Sequence, residues 1–339
     1  MKSFKSISVL AVSALLMTAC SQNEDFETKV DNFPADHVIR VATEVVQPMN
    51  AVPGVSKQQT RAGMSTDNLN EFYLKVDNVV NSNYTFFAKM KLESGVWQSY
   101  KPGAVPEPLK MLWQNKTESV IVYAVKMPLE LTSSDWDTFK TFSVNQDQTT
   151  EENLKNSDVL YMDQRVVSPA MDLTSDGKMQ IAMRHRLSKI NLTLKLGTEF
   201  NIAPSSTDIN PIASVKVEGS KTSVEWNIAS NLMQNESVPA FISPFLASYV
   251  KGEGETKMAE AKYECVIIPQ TLVTSVKPFN VSIIIGGKTY FWQYSSPSIT
   301  FNENTQYNLT LIVGKDVVTL GGFSTTPWTV GATYDVETE

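Results

Sequence analysis

The longest strand-like run in this sequence, Lys178 to Leu196, ends in a strict alternation: Ile190, Leu192, Leu194 and Leu196 are separated by Asn191, Thr193 and Lys195. A period of two puts the four aliphatics on one face of an extended chain and the polar residues on the other, the pattern of a half-buried strand. Similar runs recur throughout. Phe72–Val76, Tyr84–Met90 and Ser119–Val125 precede it, and Ala213–Val217, Ser223–Ile228, Ala261–Ile268, Phe279–Ile285 and Tyr307–Val313 follow it. All are short and rich in β-branched and aromatic residues. Turn signals separate them: Asn81-Ser82-Asn83, Gly95, the Pro-rich stretch from Pro102 to Pro108, and Asp176-Gly177. Gly286-Gly287 joins Ile283-Ile284-Ile285 to Thr289-Tyr290-Phe291-Trp292, a spacing that predicts a two-residue hairpin with a primed turn. No stretch shows sustained helical periodicity, and the polar region Asp135 to Asn153, the least strand-like, is where a short helix is expected. Such a chain is expected to be all-β, built of antiparallel sandwiches.

The N-terminus decides where that fold is delivered. Lys2 and Lys5 precede an apolar run from Ile7 to Met17, broken only by Ser8 and Ser13 and too short to span a bilayer. This reads as a secretory signal peptide over residues 1–19. Leu16-Met17-Thr18-Ala19-Cys20 resembles a bacterial lipobox, and the resemblance implies cleavage before Cys20 and acylation of that cysteine. The mature chain is then tethered to a membrane by lipid rather than spanning it. Residues 20–36 form a polar, acidic leader. It reads equally as a flexible spacer and, by resemblance, as a surface-export signal of Bacteroidetes lipoproteins.

Removal of residues 1–19 from the 339-residue chain leaves enough for two domains with their own cores. The division is placed at Asp176-Gly177, giving an N-terminal sandwich over 37–176 and a C-terminal one over 177–339. The net charge of −7 argues against a nucleic-acid partner, because an acidic surface repels phosphate backbones. With Cys20 acylated, Cys265 is the one remaining cysteine, so no internal disulfide can form; its apolar surroundings predict a buried, inert thiol.

Little in the chain suggests catalysis. The two histidines are His37 and His185; the latter sits between Arg184 and Arg186 with no orienting carboxylate nearby in sequence. Metalloprotease, nucleophile-elbow and phosphate-loop motifs are absent from the sequence. Asp135 and Asp137 are too few for a metal site. No enzyme activity, cofactor or metal is expected. The six tryptophans, 97, 113, 136, 226, 292 and 328, read as core residues, with a carbohydrate-binding platform as the alternative.

Two segments at the ends of the fold stand out. Residues 38–45 read as a first strand with Ile39, Val41 and Val45 on one face, followed by a Pro/Gly/Gln loop over 47–63 that contains Arg61-Ala62. At the other end, residues 317–330 alternate in part and show no partner of their own.

Several motifs together, Ser157-Asp158-Val159-Leu160-Tyr161, Met183 to Leu192, Val266 to Thr271 and Phe301 to Leu309, resemble the Mfa-like fimbrillin family of Bacteroidetes over essentially the whole mature length. Asn304-Thr305-Gln306-Tyr307 keeps that family's late Tyr but not its Gly-Lys. The resemblance implies two tandem transthyretin-like β-sandwiches and a structural pilus subunit, exported to the outer membrane as a lipoprotein through Cys20. It further implies that an Arg-specific protease cuts at Arg61–Ala62 and that other pilin subunits fill the groove left by the first strand. Residues 317–330 are the donor-strand candidate. A surface glycan-binding lipoprotein is the alternative, distinguished by coplanar aromatics on an exposed face; a hydrolase would need paired carboxylates or a Ser-His contact in a cleft.

Overall fold

The computed structural model describes residues 31–46, 68–202, 209–234, 237–273, 275 and 278–328. The signal peptide, Cys20, most of the leader and the loop with Arg61 and Ala62 lie outside the described residues.

The first half contributes β1 (Val41–Val45), β2 (Glu71–Asp77), β3 (Phe86–Glu93), β4 (Val96–Lys101), β5 (Glu107–Pro108), β6 (Val120–Lys126) and β7 (Phe139–Ser143). A short helix α1 (Glu151–Ser157) follows, then β8 (Leu160–Val167) and β9 (Met179–His185). The second half holds β10 (Ser188–Leu196), β11 (Ile212–Lys221), β12 (Ser223–Asn227), β13 (Leu232–Gln234), β14 (Pro239–Ile242) and β15 (Phe245–Val250). It continues with β16 (Ala259–Ile267), β17 (Gln270–Val273), β18 (Asn280–Ile285), β19 (Lys288–Gln293), β20 (Ser298–Phe301), β21 (Thr305–Val313) and β22 (Val318–Pro327). Among the described residues the fold is all-β apart from short 3-10 turns and α1, which forms where the polar region ends because Thr150 caps it: its side chain accepts from the Asn153 amide.

Eight strands form one sheet in the order β1-β9-β8-β6-β2-β3-β4-β5. One face of it encloses the first core, since Val41 and Val45 at one end belong to the same buried cluster as Ala88 and Met90 toward the other, while Tyr73, Val125 and Tyr161 belong to the second cluster. Ile39, Val41 and Val45 are all buried there, as their alternation predicts. The second core lies between the sheets β15-β16-β10-β21-β22 and β14-β11-β18-β19. Leu192, Leu194 and Leu196 point into it. The hairpin β18–β19 turns on Gly286 and Gly287 at φ 57° and 80°, the left-handed values a primed turn demands of both residues.

Two pairings depart from the antiparallel expectation: β1 runs parallel to β9, and β10 parallel to β21. Parallel neighbours need long crossovers, and in both cases most of a domain intervenes in sequence, so no hairpin spacing could announce them. The halves also interleave. The Asp176-Gly177 turn lies between β8 and β9, with β9 in the first sheet, while β7 pairs with β12 of the second half. Sheet membership changes at Arg186-Leu187.

Candidate functional site

That crossing point is built from two consecutive strands pulled into different sheets. Residues 184–189 span the end of β9, the two-residue link and the start of β10, and their side chains meet groups from both halves. Arg184 donates through Nε to the Tyr161 hydroxyl at 2.9 Å, and its guanidinium lies 4.9 Å from the Tyr161 ring centre. The same hydroxyl donates to Glu303 Oε1 at 3.1 Å and accepts from Asn231 Nδ2 at 3.3 Å. Glu303, in the turn between β20 and β21, also pairs with Arg186 and lies 3.5 Å from Arg184. Burial, and then the Glu303 charge, push the Tyr161 pKa up, so its proton stays available to that carboxylate.

On the opposite side His185 is fully buried. Its Nδ1 lies 2.9 Å from Asp158 Oδ2, and its ring stacks on Trp328 at 3.8 Å and 3°. Asp158 ends α1, its amide bonding back to Lys155 O at 3.2 Å. Lys126 Nζ donates to the carbonyls of Lys155 and Asp158 at 3.1 and 3.2 Å, placing a cation at the negative end of the helix. Lys189 Nζ sits 2.8 Å from Glu264 Oε2 and 6.0 Å from the Trp328 ring centre. Burial lowers the Lys189 pKa, opposed by the Glu264 charge.

Backbone bonds complete the joint. Ser188 Oγ donates to Asn302 O at 2.7 Å, the Asn304 amide to Leu187 O at 2.9 Å, and the Trp328 amide to Asn304 O at 3.0 Å. Gln148 takes both backbone groups of Val266, each at 2.9 Å. The four motif segments, distant in sequence, therefore meet around one polar seam between the sheets.

The side chains of this seam are bonded mainly to one another across the two halves. The carboxylate missing from the sequence neighbourhood of His185 is supplied by Asp158, which makes a His–Asp pair that the sequence could not reveal. Its other ring nitrogen, Nε2, is buried without a hydrogen-bond partner, and Trp328 covers the ring, so no hydroxyl or thiol is activated by it. Among the described residues no three His, Cys, Asp or Glu side chains gather as a metal site. Cys265 is buried, and desolvation pushes its thiol up to about 12, which leaves no thiolate at neutral pH.

Trp113, Trp136, Trp226, Trp292 and Trp328 are buried, so no exposed tryptophan platform exists among them. The C-terminal segment is corrected most. It was expected to lack a partner, yet β22 pairs along its whole length with β21, from Thr305↔Pro327 to Val313↔Val318. Residues 329 and 330 lie outside the described residues. Sequence reasoning missed Trp328 as the closing element, because the residues it packs on come from β9 and β10, far back in the chain.

A family model described as fimbrillin-like matches residues 54–328. A solved structure from Bacteroides uniformis, named for a proposed role in cell adhesion, is 14% identical and aligns with a TM-score of 0.53, covering 87% of this chain and 100% of its own. Another so named, from Bacteroides ovatus, is 12% identical at a TM-score of 0.58, covering 87% and 99%. At these identities they are alike in fold. None of the curated proteins matches the chain.

Proposed function

We propose that this chain, which belongs to the fimbrillin-like family, is a structural subunit of a cell-surface fimbria that serves adhesion. In this reading it reaches the outer membrane as a lipoprotein anchored through Cys20. An Arg-specific protease cuts between Arg61 and Ala62, and strand exchange with other subunits follows.

The observation that supports this most is the position of β1. It is an edge strand of five residues, paired with β9, with Val41 and Val45 buried. A cut at Arg61 would leave it attached by non-covalent contacts alone. Its departure would bare Met179, Ile181 and Met183 together with the outer backbone groups of β9, a template for strand addition. The candidate donor, residues 317–330, includes β22, itself an edge strand and largely exposed. The segment therefore has two roles here: it completes its own sheet before assembly and leaves it to enter a neighbour.

The test is the Arg61→Ala chain expressed on the native cell surface. We expect a lipidated, folded subunit that keeps its N-terminal segment and forms no fibre, read by mass spectrometry of the mature N-terminus and electron microscopy. Fibres built from uncut Arg61→Ala subunits would refute the cleavage step. Cys20→Ala should abolish lipid labelling; continued labelling would refute the anchor.

A further inference from the structure

β8 leaves the joint at Leu160 and ends at Val167, and β9 returns from Met179 to His185, so the chain between them turns about 23 Å from the joint. Val120, the first residue of β6, pairs with Val167, and Asp77, the last of β2, pairs with Ile121. The loops after β2 and after β8 therefore share one end of the first sheet. Four apolar side chains stand in solvent there: Val79 is 72% exposed, Val80 67%, Val166 61% and Met171 68%. The loops that present them are internally bonded. Asn78, itself buried, grips the first: its Oδ1 accepts from the amides of Val80 and Asn81 at 3.0 and 2.9 Å, and its Nδ2 donates to Gln114 Oε1 at 3.1 Å. In the second, the Ser168 amide donates to Asp172 Oδ2 at 2.7 Å and the Met171 amide to Ser168 O at 3.0 Å. A loop that holds two adjacent valines out in water, on a buried asparagine, is shaped for a surface that accepts them.

Two features say which surface. The first is where the chain enters the fold. Asn32 runs past Gly177 in the turn between β8 and β9, where a Cβ would come within 2.8 Å of the Asn32 carbonyl oxygen. Cys20 is the twelfth residue before Asn32, and twelve residues span at most about 43 Å. A lipid on Cys20 thus keeps this end of the fold within reach of the bilayer. The second feature is charge. The chain carries a net charge of −7, yet four aspartates at this end each lie beside a cation. Asp36 is 2.5 Å from Arg40, Asp77 3.7 Å from Lys75, Asp172 3.9 Å from Arg165 and Asp176 2.6 Å from Lys178. That matching limits repulsion from lipid phosphates.

We propose that this end of the first sheet docks on the bilayer that holds the Cys20 lipid, with Val79, Val80 and Met171 entering the boundary between headgroups and acyl chains and Val166 at its margin. Apolar side chains and a lipid chain then act together, each raising the residence of the other at the surface. The inference rests on the lipoprotein reading and adds what a tether by itself does not supply, an orientation: the joint lies at the opposite end of the first sheet, away from the membrane.

The test takes the mature chain, residues 20–339, and couples its Cys20 thiol to maleimide lipid in vesicles of phosphatidylethanolamine and phosphatidylglycerol; Cys265 is buried and does not compete. We expect amide hydrogen exchange in residues 78–85 and 168–172 to slow about tenfold relative to the same chain free in buffer, as for loops docked about nine-tenths of the time. Exchange in residues 228–234, in the second half, should not change. Val79→Asp combined with Val80→Asp replaces side chains that stand in solvent, so it should keep the Tm and abolish the slowing. Equal exchange in 78–85 with and without vesicles overturns the proposal. So does slowing that survives in the folded double variant, since the contact would then lie elsewhere. The coupling fixes the chain to the vesicle whether or not cells acylate Cys20. Absence of lipid labelling in cells therefore overturns the anchor, and unprotected loops on the vesicle overturn the docking.

Discussion

The two strands at the ends of the fold, β1 and β22, are both edges, and they are held by opposite means. β1 makes only five parallel pairings, but Val41 and Val45 are 5% and 8% exposed and sit in the first core. β22 is ten residues long and antiparallel to β21, yet Leu320 and Phe323 are 52% and 36% exposed. Its ladder is interrupted where Gly321 is skipped between the pairs Thr310↔Gly322 and Leu311↔Leu320. A Cβ on Gly321 would come within 3.1 Å of the Thr310 methyl, so this bulge lies tight against β21. The side chain that secures β22 follows its last residue: Trp328, 1% exposed and stacked on His185. Side-chain burial thus retains the short strand, whereas a backbone ladder and one terminal anchor retain the long one. Peeling an edge of the second kind takes one buried side chain, Trp328, out of its core.

The sharpest break of this contrast is Val41→Asp. It places an unpaired carboxylate in the first core and should cost about 4 kcal/mol or more, read as a collapse of the urea midpoint. A midpoint near that of the wild type would mean that β1 is not part of the core.

Trp328→Ala should cost about 3 kcal/mol, in line with removal of a buried aromatic side chain. The loss should be local. Amide exchange across β22 should accelerate while β9 stays protected, and equal acceleration in both strands would show that the anchor is not confined to the tail.

Alkaline pH probes whether the sheet that carries β22 stays dry. Cys265 on β16 has its thiol pushed up to about 12 by burial, then by the Glu264 charge, against about 8.5 in an unfolded chain. The folded state therefore holds the proton longer, and its contribution is complete below about pH 8.5 and lost as pH rises toward 12. At pH 10 the loss should be about 2 kcal/mol, and Cys265→Ala should remove that share of the slope. An unchanged slope in the variant would place water at the thiol.

Leu320→Ser should produce the smallest effect, within about 0.5 kcal/mol, because the side chain it shortens is already half in solvent. A larger loss in the monomer would show that β22 is held along its length and not at Trp328.

Much of this was legible in advance. The alternation in 190–196 identified a strand and its buried face, Gly286-Gly287 marked a hairpin, and Ile39, Val41 and Val45 marked a first strand with one apolar side. Each is a short-range statement, since a period of two or a required φ is carried by neighbouring residues. The joint was legible only as motifs: Asp158, Tyr161, Arg184 and Glu303 could be named, but not assembled. Their partners lie 23 to 142 residues apart, and nothing in composition or spacing pairs Tyr161 with Glu303 or His185 with Asp158.

By itself, then, the sequence determined the strands, their inward faces and the all-β class, because these follow from local periodicity and turn stereochemistry. The tertiary structure alone decided that β1 runs parallel to β9, that β22 closes its own sheet, and that Trp328 rests on His185. Those outcomes depend on which distant strands share an edge and on which buried polar group needs a partner there. Such choices are settled by the global balance of burial and hydrogen bonding, to which every part of the chain contributes and which no single stretch encodes.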